Sequence, residues 1–414
     1  MRRARRPGHS RIRAIRRHST SRHLARPAAR QLVAQQYRRL THPFERRSTV
    51  DNDVGILLMF QNQNDKQSDQ AAFREDMEFG VAAEEMGFGR IWIVEHHFDN
   101  YSMSPDNFVE LAWFAGRTKR IKLGIGAAIL PWNDPLRVAE KIILLDHLSE
   151  GRVLLALGRG LARIEYDNFR IPMSEARERF DEAADLVVNA IETGYAEGNG
   201  TFYKQPRVKL RPGPIRGFRD RLHTVAATSA ESQFTAARLG GAMMSYVTAD
   251  TEKLAASLNN YRGHYREFHH EEAPWPVLTD VTYVHTDSEK AREGAYKYVG
   301  EAFSMVVDHY DMAGDHFAGT KGYTAYAAAA DAIRASRQGA IDAYVPTQLW
   351  GTPEEIIRRF RERIAITGPY TPNFQFSAGG VPQDDVLRGA ELFARHVLPA
   401  ITDILGEERS KMAA

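Results

Sequence analysis

Short, almost wholly apolar runs alternate with amphipathic stretches along most of this chain, and this alternation limits the fold more than any other feature. Eight strand candidates stand at 54–60, 90–95, 121–130, 152–158, 222–228, 242–247, 277–286 and 373–378. Most are followed by a stretch with helical spacing of apolar residues, as in Phe73, Met77 and Val81. Continuous apolar strands are typical of a parallel sheet covered by helices on both faces. The sequence predicts an α/β fold, most simply a (β/α)8 TIM barrel, with a doubly wound sheet as the alternative.

The formal net charge of +2 conceals a division of charge along the chain. Residues 1–50 contain fifteen Arg, no Lys and one acidic residue, Glu45, so they sum to +14 and residues 51–414 to −12. This basic segment lacks the apolar core of a secretory signal. We expect a disordered Arg-rich extension at 1–50 and one barrel domain at 51–414. Nucleic-acid binding by the extension, or its use as an organelle transit peptide, is the less favoured interpretation.

Composition excludes several classes of function. The 414 residues include no cysteine, which rules out disulfides, thiolate metal sites and cysteine nucleophiles, and fits a reducing cytoplasm. No apolar run approaches the roughly 20 residues that cross a bilayer. We therefore expect a soluble, cytoplasmic protein that does not insert into membranes.

Titratable side chains stand at the end of the second predicted strand, in the sequence Glu95-His96-His97. In a TIM barrel, functional groups gather at the carboxyl ends of the strands. Adjacent residues on a strand point to opposite sides, so His96 and His97 should have different roles, and an imidazole at the barrel mouth can donate, accept or carry a proton. Two hydrogen-bonded structural histidines are the alternative. No metal site is expected, because a consecutive pair cannot easily bind one ion.

Two further strand ends suggest an anion site. In "LGRGLARIEY", two glycines flank Arg159, whose planar guanidinium suits a phosphate. In "AATSAES", Thr228, Ser229 and Ser232 stand where a helix begins, and free N–H groups there favour an anion. An ordinary helix cap is the alternative for the second motif. Together the two motifs predict a phosphate pocket at the same face of the barrel as His96.

The motifs, taken together, resemble the bacterial luciferase-like flavin monooxygenases, and especially the α subunit of luciferase. The similarity runs through "IWIVEHHF", "LLDHLSEGR", "LGRGLARIEY", "VAATSAESQFTAARLG", "LWGTPEEIIRRF" and "LFARHVLPAI", and it covers residues 53–401. The resemblance implies that His96 is the active-site histidine that assists the reaction of reduced flavin with oxygen. It also implies that Glu165 is an acidic residue close to the flavin.

The same resemblance assigns cofactor contacts. It implies that Arg159, Ser229 and Ser232 contact the flavin phosphate, with Thr228 beside them. Ala127-Ala128 falls where these proteins have a non-prolyl cis peptide under the isoalloxazine ring. The chain departs from luciferase at Gly158, which replaces a reactive cysteine, and this puts light emission in doubt rather than oxygenation.

By resemblance, the chain is a two-component monooxygenase and forms a homodimer through helices near the second and third strands. A separate flavin reductase would supply reduced FMN, and a flavin 4a-peroxide formed with molecular oxygen would oxidise a small aldehyde- or ketone-like substrate. Two alternatives remain open at this point. One is a deazaflavin-dependent hydride-transfer enzyme on the same barrel, and the other is a non-catalytic flavin-binding partner subunit.

Overall fold

The structure is a computed structural model that describes residues 52–226, 229–319, 323 and 326–413. The predicted extension at 1–50 and the predicted cofactor contact Thr228 lie outside the described residues. The strands are β1 (Gly55–Leu58), β2 (Arg90–Ile93), β3 (Lys122–Ile129), β4 (Val153–Gly158), β5 (Tyr195–Asn199), β6 (Lys204–Lys209), β7 (Leu222–Val225), β8 (Ala242–Tyr246), β9 (Val277–Val281) and β10 (Thr371–Gln375).

Eight of these strands close into a parallel barrel in the order β1-β2-β3-β4-β7-β8-β9-β10, and β10 pairs with β1. The remaining two, β5 and β6, form an antiparallel hairpin. The predicted TIM barrel is therefore confirmed and the open doubly wound sheet is excluded. The observed strands are shorter than the apolar runs, because pairing stops where the backbone turns toward the carboxyl face of the barrel.

Helices surround the barrel and pack their apolar stripes against it. They are α1 (Asp69–Met86), α2 (Asn107–Ala115), α3 (Pro135–Leu148), α4 (Arg163–Phe169), α5 (Ala176–Thr193), α6 (Ala230–Leu239), α7 (Thr251–His269), α8 (Ser288–Gly294), α9 (Gly300–His309), α10 (His316–Gly319), α11 (Ala327–Ala335), α12 (Arg337–Tyr344), α13 (Pro353–Thr367), α14 (Gln383–His396) and α15 (Leu398–Ala413). A π-helical turn, Ala295–Val299, joins α8 to α9. Among the described helices, none is both long and apolar enough to cross a membrane.

Local sequence signals explain where several helices begin and end. The Ser68 hydroxyl caps α1, which ends at Gly87 with φ 95°, a left-handed conformation that glycine adopts without steric cost. Pro135 occupies the first turn of α3, where its missing N–H has no intrahelical partner to lose, and Asp134 caps the helix. The barrel strands contribute a continuous core, since β1, β4, β9 and β10 are buried throughout.

An ion pair is buried at the amino ends of β4 and β7. The Arg221 guanidinium donates to both carboxylate oxygens of Asp146, at 2.6 and 3.1 Å, and also to the carbonyl oxygen of Val153 at 3.2 Å. Both side chains are almost fully buried. This pair ties the end of α3 to the start of two barrel strands, at the end of the barrel opposite the predicted functional residues.

Residues 300–350, which the sequence left without an assignment, contain α9 to α12. The last residues of α9 reach the carboxyl end of the barrel. There, the Tyr310 hydroxyl lies 3.3 Å from Nε2 of His96. Asp311 forms an ion pair with Arg163 of α4 at 2.9 Å. This segment therefore covers the barrel mouth and contacts the loops that follow β2 and β4.

Candidate active site

Glu95 and His97 hold the loops at the end of β2 and β3. One Glu95 oxygen accepts the backbone N–H of Ile129 at 3.0 Å, and the other accepts the indole N–H of Trp132 at 2.8 Å. The His97 Nε2 lies 3.4 Å from Glu95, and its ring packs edge-on to Phe169. The two side chains thus join the strand ends to the 3-10 turn after β3.

His96 points elsewhere, into a cluster of titratable groups at the barrel mouth. Its Nδ1 lies 3.0 Å from Oε1 of Glu165, and the backbone N–H of His97 donates to the same oxygen at 2.9 Å. Tyr310 approaches the opposite ring nitrogen. The expectation that the two adjacent histidines differ in role is supported by this geometry, since one contacts Glu95 and the other Glu165.

Glu165, in α4, is ionised in this setting. Burial alone would favour its neutral form, but the His96 and His309 imidazoles lower the pKa of Glu165 to about 2. His309 lies with Nε2 3.6 Å from Oε1 of Glu165 and Nδ1 3.3 Å from Oδ2 of Asp99. Burial opposes a charge on His309, yet the two carboxylates raise the pKa of its imidazole above the usual value.

His309, Tyr310 and Asp99 were not predicted from the sequence. His309 and Tyr310 end a helix in the segment that had no assignment, and "DHYDM" carries no local mark of a functional site. Asp99 follows the Glu-His-His motif by two residues and could have been considered for that reason. His96, Glu165 and His309 also place three potential metal-ligand atoms within 4.8 Å of one another. The expectation of no metal site remains a prediction.

Ala127 and Ala128 lie at the end of β3, beside β4. Gly126 pairs with Ala156 and Ala128 pairs with Leu157, so Ala127 is skipped in the ladder. The non-prolyl cis bond joins Gly126 to Ala127, one residue before the expected Ala127–Ala128 bond, and the predicted position was wrong. Apolar small residues in a row do not reveal where a bulge shifts the register.

A buried amide connects this bend to β2. The Asn107 side chain, at the start of α2, donates to the carbonyl oxygens of Ile93 at 3.1 Å and Ala127 at 3.0 Å. The residue that caps α2 is Asp106. The amide therefore fixes the bend beneath the site rather than the helix end.

The phosphate-side residues come together at the start of α6. The Ser229 hydroxyl caps this helix by accepting the N–H of Ser232 at 3.2 Å, and it lies 2.8 Å from the Ser232 hydroxyl. Arg177, in the first turn of α5, donates to Ser232 Oγ at 3.1 Å. Two of the predicted hydroxyls are thus adjacent, and an arginine that the sequence did not single out contacts one of them.

Arg159 follows β4 and lies beside the buried Tyr323. The Arg159 guanidinium stacks on the Tyr323 ring at 3.9 Å. Burial lowers the pKa of Arg177, and the positive charge of Arg159 lowers it further. Nothing in the local sequence around Arg177 distinguishes it from a helix-surface arginine, so only the fold identifies it.

Adjacent residues of α4 connect the His96 cluster to these arginines. Glu165 binds His96, and the hydroxyl of the next residue, Tyr166, donates to the backbone carbonyl of Arg159. The predicted residues His96, Glu165, Arg159, Ser229 and Ser232 therefore belong to linked clusters at one end of the barrel.

The arrangement fits a phosphorylated flavin. Two guanidinium groups, two hydroxyls and a helix N-terminus suit a phosphate anion. Gly160, with φ 79°, lets the Trp132 ring pack against this turn, because a Cβ atom would lie 2.6 Å from that ring. Ala127 and Ala128 are small side chains buried at the end of β3. Imidazole, phenol and carboxylate groups there can move a proton.

The chain is similar to known proteins over most of its length. The profile of the family described as luciferase-like monooxygenase matches residues 53–369. The chain is 27% identical over 332 residues to an alkanal monooxygenase alpha chain of Photorhabdus luminescens, which covers 79% of this chain and 91% of the relative. It is 24% identical over 256 residues to the oxygenase component of a flavin-dependent trigonelline monooxygenase of Acinetobacter baylyi, covering 60% of this chain and 71% of the relative.

Solved structures share the fold. The monooxygenase RslO1 of Streptomyces bottropensis superposes with a TM-score of 0.66 at 27% identity, covering 84% of this chain and 98% of that one. The oxygenating constituent of 3,6-diketocamphane monooxygenase of Pseudomonas putida, in complex with FMN, gives 0.66 at 17% identity, with the same coverage. A coenzyme F420-dependent tetrahydromethanopterin reductase of Methanopyrus kandleri gives 0.60 at 18% identity, again over 84% and 98% of the two chains. Because the family profile covers most of the chain, this protein belongs to the luciferase-like monooxygenase family.

Proposed function

We propose that this flavin-dependent monooxygenase uses reduced FMN and molecular oxygen to oxidise a small, uncharged organic substrate such as an aldehyde or ketone. The single observation that supports this most is the link through α4. Glu165 contacts His96 and Tyr166 contacts the backbone of Arg159, so one helix links the proposed proton-transfer centre to the proposed anion site. A bound flavin needs an anion site for its phosphate and a proton-transfer group beside its reactive ring.

In this proposal the phosphate of FMN is held by Arg159, Arg177, Ser229 and Ser232, with Thr228 as an expected further contact. Two guanidinium groups that repel each other are stabilised by a ligand with two negative charges. A phosphate monoester carries nearly that charge at neutral pH. The backbone of Ala127 and Ala128 would support the ring. Reduced FMN, when bound, supplies the electrons for oxygen activation.

His96 is the proposed acid–base group, with Glu165 as its partner. Glu165 fixes the proton of His96 on Nδ1, which leaves Nε2 to accept a proton at the barrel mouth. The Tyr310 hydroxyl lies 3.3 Å from that nitrogen and shields it from water. The protein's own share of the chemistry is therefore to orient the ring, to hold the proton at a defined atom and to exclude solvent.

The side chains around the mouth support a neutral, apolar substrate. A buried apolar cluster combines residues of the barrel strands and the loops after them with Met305 of α9; its members include Met59, Trp92, Tyr101, Ile129, Met244 and Met305. The partly buried rings of Tyr246 and Tyr310 border it. Aliphatic or aromatic groups of a substrate would pack against such side chains, and the tyrosine hydroxyls could donate to a carbonyl oxygen.

A separate flavin reductase is the proposed electron source, because the similar trigonelline monooxygenase chain of Acinetobacter baylyi is the oxygenase component of its enzyme. We further propose a cytoplasmic homodimer, formed through α2 and α3. These helices expose large apolar side chains, with Val109 67%, Leu144 49% and Leu148 55% exposed. A subunit interface would cover apolar side chains exposed in this way on two neighbouring helices.

The decisive experiment is to titrate the full-length chain anaerobically with reduced FMN and, separately, with reduced F420, and then to admit oxygen in the presence of decanal or cyclohexanone. The proposal expects tight binding of reduced FMN, rapid oxidation by oxygen and an oxygenated product. Binding of F420 with oxygen-independent reduction of a substrate would instead establish the hydride-transfer alternative. Flavin binding without oxidation of either substrate or flavin would indicate a non-catalytic partner subunit.

A further inference from the structure

His309 has no role in the proposal above, yet its side chain is fully buried inside the His96 cluster. It is the last residue of α9 and approaches from the segment that covers the barrel mouth. Oε1 of Glu165 is shared between His96 Nδ1, at 3.0 Å, and His309 Nε2, at 3.6 Å. The two imidazole rings lie 5.0 Å apart, edge to face. One carboxylate therefore serves two rings that are close enough to influence each other's charge.

The surroundings of His309 favour a positive charge on that ring rather than on His96. His309 lies between two carboxylates, Asp99 and Glu165, whereas His96 touches only the shared one. The titratable groups that face His309 from the packed elements are Asp99, Tyr101 and His96 from the loop after β2, Glu165 from α4, and Tyr310 from its own helix end. Two imidazolium ions at this separation would repel strongly in a dry site, so a charge on one ring disfavours a charge on the other.

We propose that His309, held between Asp99 and Glu165, is a positioning residue that carries the positive charge of this cluster and thereby keeps His96 neutral, with its proton on Nδ1. This inference deepens the proposed function, because a neutral His96 offers the lone pair of Nε2 at the barrel mouth. Without the charge of His309, the ionised Glu165 would be balanced by a second proton on His96. His96 would then donate a proton at Nε2 instead of accepting one.

The test uses ¹⁵N NMR of the full-length chain with labelled histidine at pH 7, without flavin, so its outcome does not depend on cofactor binding. His96→Gln and His309→Gln assign the two sets of ring resonances. The wild-type chain should show His96 as the neutral Nδ1–H tautomer and His309 as a doubly protonated ring. In His309→Gln, the ratio of doubly to singly protonated His96 should rise about four-fold or more, since two charges 5.0 Å apart repel by that factor even at the dielectric constant of water.

Two further variants make the result decisive. Asp99→Asn removes one of the two carboxylates beside His309, from a side chain that is 29% exposed. It should also raise the ratio of doubly to singly protonated His96, and it provides the test if His309→Gln fails to fold. His147→Gln, on the exposed surface of α3, is the matched control and should leave His96 unchanged. The proposal would be overturned if the protonation of His96 were unchanged in both His309→Gln and Asp99→Asn, or if His309 were neutral in the wild type. Stoichiometric Zn²⁺ binding that is lost in His309→Gln would also overturn it, because the cluster would then be a cation site. Failure of the wild type to bind reduced FMN would refute the proposed function alone.

Discussion

Both ends of this barrel contain buried charge, but the two ends use different chemistry. At the amino end, Arg221 and Asp146 form a two-pronged ion pair, in which the guanidinium donates to both carboxylate oxygens. At the carboxyl end, two carboxylates surround two imidazoles, the side chain best suited to proton exchange. Burial alone therefore does not mark a functional site. A buried guanidinium–carboxylate pair supports the fold, whereas a buried cluster that includes imidazoles can exchange protons.

The largest expected effect is at the amino end. Asp146→Asn leaves the Arg221 charge buried without its counter-ion and should lower the free energy of unfolding by about 3–5 kcal/mol. Urea denaturation followed by circular dichroism measures this change. The matched control is Asp185→Asn, which removes an exposed partner of Arg238 and should cost at most about 1 kcal/mol. If Asp146→Asn and Asp185→Asn lowered the free energy of unfolding by the same small amount, the buried ion pair at the amino end would not be a structural support of the fold.

A pH dependence should distinguish the carboxyl end. The pKa of Glu165 is lowered to about 2, so its stabilising contribution is complete above the unfolded value near 4.5 and is lost as the pH falls toward 2. The pKa of His309 is raised, so its contribution is complete below about 6.5 and is lost as the pH rises through the folded-state value. The cluster therefore stabilises the fold most at about pH 5 to 6.

Glu165→Gln tests this profile. The difference in the free energy of unfolding between wild type and variant should be about 3 kcal/mol near pH 5.5 and should shrink below pH 4.5. Glu140→Gln, at an exposed position beside Arg137, is the control. Its difference from the wild type in the free energy of unfolding should not shrink as the pH falls. A difference that stayed constant from pH 5.5 to pH 3 would mean that Glu165 is not ionised by its histidine neighbours.

Next in size is the effect of the phosphate-side arginines on cofactor binding. Arg159→Ala and Arg177→Ala should each weaken FMN binding by about 1.5–3 kcal/mol, and riboflavin binding much less, because a charge-assisted contact to the phosphate is lost. Isothermal titration of both ligands measures the difference. Arg170→Ala, an exposed arginine at the end of α4, is the control. Equal weakening of FMN and riboflavin would reject the phosphate assignment.

Replacing His96 should have the smallest effect on FMN binding and the largest effect on the reaction with oxygen. His96→Ala should leave the dissociation constant of FMN within a few-fold, since the imidazole does not contact the phosphate, but should raise the hydrogen peroxide released per flavin oxidised. Peroxide assay during turnover measures this uncoupling, with His97→Ala as a neighbouring comparison. If His96→Ala released no more hydrogen peroxide per flavin oxidised than the wild type, the proposed acid–base role of His96 would be rejected. The carboxyl end of the barrel would then lack the chemistry that distinguishes it from the amino end.

Much of the site was predictable because its motifs are local. Glu95-His96-His97, the glycines around Arg159 and the serines before α6 all directly follow apolar strands, and parallel strands bring their ends to one face. Arg177 and Asn107 were not identified as site residues, because each lies on a helix where arginine and asparagine are ordinary. The cis bond was placed one residue late, since the register of β3 depends on its pairing with β4.

The barrel, its approximate strand positions and the proposed proton-transfer and anion motifs at three strand ends could be predicted, because helical and strand periodicity and strand-end chemistry are properties of neighbouring residues. Which side chains complete these motifs depended on how the chain folds. Tyr310 and His309 meet His96 and Asp99 across 214 and 210 residues of chain, and no local signal marks such a contact before the barrel closes. The charge that each ring holds depends on the neighbours that folding brings to it.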